Sequence, residues 1–192
     1  MLPEIRKYSQ ELKKVLDNFP ENDFGLFLGL LLVAYRKNRQ IFIFGNGGSA
    51  ASAMHFTCDI NKGVSAGLKN SFRVHCLNDN ISSLTAYAND ISYESVFMEQ
   101  LKNFFQADDL AIGISASGNS RNVVNAIKYA NRKGGITLGL SGFHGGRLIK
   151  AAKYNLVVRS NDMQVIEDMH LVVLHMLMRS LECALVKNEA RK

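Results

Sequence analysis

Hydrophobic and polar positions along this chain follow two regimes. In the first forty residues the period is helical. Pro3 stands where a first helical turn tolerates proline. From Glu4 to Phe19, Ile5, Leu12, Val15 and Leu16 recur at helical spacing among charged residues. Pro20 and Asn22-Asp23 interrupt the pattern. A second helix is predicted from Phe24 to Lys37. It is apolar on nearly every side, so it needs covering all round, by the body of the domain or by a neighbouring copy. Beyond it, five strand-length apolar runs recur: Ile41–Phe44, Arg73–Leu77, Leu110–Ile114, Ile136–Leu140 and Tyr154–Val158. Most are apolar throughout, as parallel strands covered on both faces are. Amphipathic segments separate them, at Ser49–Asn61, Ile81–Ala88, Tyr93–Phe105, Asn122–Arg132 and Gly145–Ala152. A last helix is predicted from Asp162 to Lys187, capped by Asn161 or Ser160. The alternation predicts an α/β fold, a doubly wound five-stranded parallel sheet. No linker divides it, so residues 1–192 read as one domain, with residues 1–38 as a helical extension used in oligomerisation.

Composition narrows the class. Of the 192 residues, 47% are hydrophobic and 21% charged, which excludes disorder as the main state. The net charge of +6 favours anionic ligands weakly. Its basic residues are scattered (Lys13-Lys14, Arg36-Lys37, Arg132-Lys133, Arg191-Lys192), so no nucleic-acid footprint is expected. The three cysteines, Cys58, Cys76 and Cys183, fit neither a disulfide framework nor a zinc ribbon. They read as reduced, buried thiols of a cytoplasmic protein. The start, MLPEIRKYSQ, has no apolar signal core. The longest apolar run, Phe24–Tyr35, is shorter than the ~20 residues a bilayer needs, so no membrane association is expected.

Small polar residues collect after the strands. Gly45-Asn46-Gly47-Gly48-Ser49 follows the first, and Ser115-Ala116-Ser117-Gly118-Asn119-Ser120 follows the third. Parallel sheets bind ligands at the carboxyl ends of their strands. Each of these two turns leads into a helix, whose free N–H groups and dipole favour an anion. Neither the Walker lysine nor the GxGxxG spacing is present, so a compact phosphate monoester fits better than a nucleotide. His55 and Asp59 lie one helical turn apart on the helix that begins at the first loop. That spacing suits a shared divalent metal, or a carboxylate orienting an imidazole.

With GNGGS, AMHF, AND, ISASGNS and IEDMH in this order, the chain resembles the sugar isomerase (SIS) domain family. More narrowly it resembles the phosphoheptose isomerase branch, over nearly its whole length. The resemblance implies a flavodoxin-like SIS fold. It also implies conversion of sedoheptulose 7-phosphate to an aldoheptose 7-phosphate through an enediol. It assigns Asn46, Gly47, Gly48, Ser49, Asn89, Asp90, Ser115, Ala116, Ser117, Ser120 and Glu167 to the substrate and its phosphate. Asp59 and His175 are the implied acid/base pair. His55, Asp59, Glu167 and His175 are the implied ligands of one zinc ion per subunit, in a homotetramer with sites at subunit interfaces. Three residues depart from the family pattern: Ala116 where threonine is common, Asp59 where glutamate stands, and Glu167 where glutamine stands. A non-catalytic SIS module is the alternative. It would be a sugar-phosphate sensor, or an adaptor similar to the SIS protein that associates with the bacterial replication initiator. The retained carboxylate and histidines favour the enzyme.

Glu167 and His175 are eight residues apart, roughly 12 Å along one helix. One metal can hardly take both, so different copies of the chain are expected to supply them. His175 is accordingly expected to reach Asp59 from another subunit. His170 reads as structural or supporting, His75 as a core histidine, His144 as a surface residue, and Cys58 as buried.

Overall fold

The computed structural model describes residues 2–189; the basic pair Arg191-Lys192 lies outside them. Two helices come first, α1 (Pro3–Asp17) and α2 (Glu21–Arg36). The strands are β1 (Gln40–Gly45), β2 (Arg73–Cys76), β3 (Leu110–Ser115), β4 (Ile136–Gly142) and β5 (Tyr154–Val158). Between them run α3 (Gly48–Cys58), α4 (Ile81–Asp90), α5 (Val96–Phe104), α6 (Arg121–Arg132) and α7 (Leu148–Ala151). The last helix, α8, spans Met163–Glu189. All strand pairs are parallel, in the order β2-β1-β3-β4-β5. This is the expected doubly wound sheet with its N-terminal helices.

Alternation along the central strands divides the core into two layers. Ile41 and Ile43 of β1 and Ile112 and Ile114 of β3 pack in one cluster with Phe27 and Leu31 of α2, Phe56 of α3, and Val173 and Leu177 of α8. Phe42 and Phe44 point the other way, to Phe97 and Leu101 of α5 and Val123 and Ile127 of α6. The helix α2 is covered on one side only. Phe27, Leu31 and Ala34 are buried, while Leu26 and Val33 face outward. No helix among the described residues is long and apolar enough to cross a membrane.

Several local expectations change. The strand β2 is an edge, so it alternates: Val74 and Cys76 are buried, and Arg73 and His75 are exposed. His75 is therefore not a core histidine; its ring stacks on Phe42 at 5.2 Å. Cys58 and Cys183 are exposed, and only Cys76 is a buried thiol, which burial pushes up to about 11. Gly145 and Gly146 have φ of +83° and +55°, which postpones the expected helix to Leu148. Tyr93–Ser95 forms a separate 3-10 turn before α5. The cap of α8 is Asp162, whose Oδ1 accepts the N–H groups of Gln164 (3.0 Å) and Val165 (3.3 Å). Beyond Cys58, residues Asp59–Val64 continue α3 as one π-helical segment.

Candidate active site

The strand order reverses direction between β1 and β3, so their two outgoing loops face one crevice. From β1 the chain passes Asn46 and Gly47, whose φ is +52°, into α3. From β3 it passes Ser115–Ser120 into α6. The first N–H groups of each helix have no acceptor within their own helix. The serine loop is clamped by the β4–α7 loop. Leu148 N–H donates to the Gly118 carbonyl and Gly142 N–H to the Ala116 carbonyl, both at 2.8 Å. Gly118 has φ of +67°, and a Cβ there would lie 2.1 Å from the Gly145 carbonyl oxygen, so only glycine fits. Within the loop the Ser115 and Ser120 hydroxyls are 3.0 Å apart, and Ser117 Oγ accepts the Asn119 N–H at 3.2 Å. Ser49, Ser115, Ala116 and Gly118 are buried, while Gly47 and Gly48 are exposed.

The two loops are joined through Asn46 by two side chains, Asn122 and Tyr93, that the sequence did not single out. Asn46 and Asn122 exchange two amide hydrogen bonds at 2.9 Å, and the Tyr93 hydroxyl donates to Asn46 Oδ1 at 2.9 Å. Asn122 lies two residues past the serine loop and Tyr93 three past Asp90. That nearness was the available signal. Asn78 steadies the first loop from β2: its amide side chain bonds both the N–H (3.2 Å) and the carbonyl (2.9 Å) of Gly45.

Down α3, one face carries Ala53, Phe56 and Ile60 into the core, and the other presents His55 and Asp59. Here α8 packs alongside and brings in His175. His55 Nε2 is 3.2 Å from Asp59 Oδ2, His175 Nε2 is 3.8 Å from the same oxygen, and the two imidazole Nε2 atoms are 3.0 Å apart. The side chains of His55 and His175 are 52% and 46% exposed, so a substrate can reach the group. The three form a group able to hold a metal ion. Zinc bound at 2.0–2.2 Å by tetrahedral ligands would hold them roughly 3.3 Å apart, close to the spacing found. Three protein ligands would leave a position open for substrate.

This arrangement corrects one expectation, the supply of His175 by another subunit, and agrees with the expected separation of Glu167 from His175 along α8. His175 reaches Asp59 within one chain, so no second copy is needed to unite them. Glu167 is not among the metal-capable three. Its carboxylate lies against Gly48 at the start of α3, where an added Cβ would meet Oε2 at 2.9 Å. The eight-residue spacing thus separates two places along the packing of α8 on α3. Asn89 and Asp90, at the exposed end of α4, bond each other at 2.8 Å.

His144 is exposed, as expected. His170 is buried under α8. Burial pushes its ring down to about 4, with a small opposing effect from the Ser141 backbone nearby. Neither ring nitrogen makes a hydrogen bond of good geometry. A cavity of about 630 Å³ between the α1–α2 corner and β5, lined by Lys14, Phe19, Asn155 and Arg159, includes none of the site residues.

A family model described as SIS domain matches residues 7–142. The chain is 34% identical over 192 residues to a phosphoheptose isomerase of Aliarcobacter butzleri, across 98% of this chain and 96% of that protein. It is 39% identical over 153 residues to a probable phosphoheptose isomerase of Thermoplasma acidophilum, across 80% and 81%. Among solved structures it matches the phosphoheptose isomerase GmhA from Neisseria gonorrhoeae with a TM-score of 0.82 and 28% identity, over 94% of each chain.

Proposed function

The chain belongs to the SIS domain family, and on that footing we propose that it works as a phosphoheptose isomerase. It takes sedoheptulose 7-phosphate to D-glycero-D-manno-heptose 7-phosphate by proton transfer through an enediol. The observation that carries this reading is the meeting of His55 and Asp59, on the helix that starts at the glycine loop, with His175 of α8. From Gly48 to His55 is about 10 Å along α3. Anion donors stand at the start of α3 and acid/base groups about two turns further along it. That separation suits a sugar whose phosphate lies several carbons from its carbonyl.

In this reading the substrate phosphate lies against the N-termini of α3 and α6. It meets Gly47, Gly48, Ser49, Ser117 and Ser120, with Asn46 beside it. Ser115 and Ala116 shape the loop from beneath, and Asn89 and Asp90 attend the sugar. Asp59 engages both imidazoles through Oδ2, which leaves Oδ1 to take the proton from one carbon and return it to the next. His175, whose Nε2 faces His55 and Asp59, moves the companion proton between the two substrate oxygens through Nδ1. His55, Asp59 and His175 would also hold one zinc ion per subunit, which when bound polarises the substrate oxygens and stabilises the enediolate. Glu167 borders the phosphate rather than the zinc.

A homotetramer is part of the same reading, supported by the uncovered Leu26 and Val33 of α2. So is a cytoplasmic location, supported by three free cysteines. The test is incubation with sedoheptulose 7-phosphate, with and without added zinc, followed by NMR. Aldoheptose 7-phosphate is the expected product. Intact protein that gives none with zinc present would refute the reading.

A further inference from the structure

Asn46, Asn122 and Tyr93 form a closed set of hydrogen bonds at the seam between the two anion loops, and chemistry fixes the direction of each. Val123 N–H donates to Asn122 Oδ1 at 2.9 Å. A backbone N–H can only donate, so the atom facing it is the amide oxygen. The other end of that side chain is then the NH2 group, which donates to Asn46 Oδ1 at 2.9 Å. Asn46 Nδ2 returns a bond to Asn122 Oδ1 at 2.9 Å, and the Tyr93 hydroxyl gives a second donor to Asn46 Oδ1. Both lone pairs of Asn46 Oδ1 are therefore filled, while its NH2 has spent one hydrogen within the set. What Asn46 has left for a ligand is a donor. A reversed Asn46 would set its NH2 against the Asn122 NH2 and turn an oxygen toward an anion.

Resting on the phosphate-binding reading above, we propose that Asn122 and Tyr93 are positioning residues. They lock the Asn46 amide so that it donates to the substrate phosphate and never presents its oxygen. Asn122, 2% exposed, is the inner member and Tyr93 the outer one. Tyr93 stands on a turn that is itself fastened to α6. Glu94 pairs with Arg121 at 2.7 Å, and its carbonyl accepts the Asn125 amide at 3.1 Å. The lock thereby also ties the segment that follows Asn89 and Asp90 to the seam.

Two near-isosteric variants test it. Asn122→Asp keeps an acceptor for Val123 N–H but replaces the donor that faces Asn46. Tyr93→Phe removes one donor and leaves the ring. Asn122→Asp should raise KM for sedoheptulose 7-phosphate about tenfold, and weaken inorganic phosphate binding by calorimetry to a similar degree, with kcat changed less than about twofold. Tyr93→Phe should raise both by about threefold. In an Asn46→Ala background, Asn122→Asp should add little to KM, because its effect runs through Asn46. Variants that only melt earlier, with KM and phosphate affinity unchanged, would overturn the proposal. So would an Asn122→Asp effect of equal size without Asn46. If the unaltered enzyme turns over normally, such results sink this inference alone. An unaltered protein that neither turns over nor binds phosphate sinks the functional reading and this inference together.

Discussion

Glu167 sits where two requirements conflict. Its carboxylate lies against Gly48 at the start of α3, where a negative charge is favourable to the helix. The same charge opposes an arriving phosphate. Glu167→Gln should therefore lower KM for the sugar phosphate several-fold while costing up to about 1 kcal/mol of stability. Steady-state kinetics beside urea unfolding would show the opposite signs; a rise in KM would mean that the carboxylate is needed to bind the sugar. His170 gives a second residue-scale expectation. Its folded ring stays neutral down to about pH 4, whereas the unfolded chain takes that proton near 6.5. Between those values the unfolded state binds more protons, so stability falls as pH drops from 6.5 to 4. The loss reaches roughly 3 kcal/mol. His170→Gln should flatten this part of the stability profile in urea melts at stepped pH. An unchanged slope would show that the ring finds a proton acceptor when folded.

Among the elements, the serine loop is the most tightly determined. It is clamped to the β4–α7 loop through Gly118, where a side chain has neither the conformation nor the room. Gly118→Ala should cost ~2 kcal/mol or more and raise KM by displacing the loop. A thermal melt with a KM measurement checks this, and a normal melt and KM would contradict it. The strands were legible because runs such as Gln40–Gly45 and Leu110–Ser115 are buried on both faces. In β2 the alternation of Arg73, Val74, His75 and Cys76 carried the edge signal, but the cysteine and the neighbouring leucine made the run read as apolar. The positive φ of Gly145 and Gly146 depends on contact with the Gly118 turn, which local pattern cannot show. The two loops that follow β1 and β3 were legible from their glycines and hydroxyls. The meeting of His55 and Asp59 with His175 was not, because helical spacing gives the reach within α8 and says nothing of what lies beside it. Only the packing of α3 along α8, more than a hundred residues later in the chain, sets Glu167 beside Gly48 and His175 beside His55 and Asp59.

At the scale of the whole molecule, one chain brings His55, Asp59 and His175 together yet leaves the outer side of α2 bare. Leu26 and Val33 are 44% and 37% exposed, and Ile5 and Leu16 of α1 are more than 40% exposed. Light scattering should find a tetramer, and paired Leu26→Glu and Val33→Glu changes should shift it to smaller species; a monomer at micromolar concentration would contradict the assembly. The central claim concerns Asp59, and isomerisation in deuterated water tests it most directly. If Asp59 takes the proton from carbon 1, its carboxyl, open to solvent in this exposed group, exchanges that proton before protonating carbon 2, so the aldoheptose 7-phosphate formed should carry deuterium at carbon 2, seen by NMR. Asp59→Asn should still bind inorganic phosphate but lose kcat by ~100-fold or more. Product free of deuterium, or an Asp59→Asn variant that turns over as fast as the unaltered enzyme, would contradict the account.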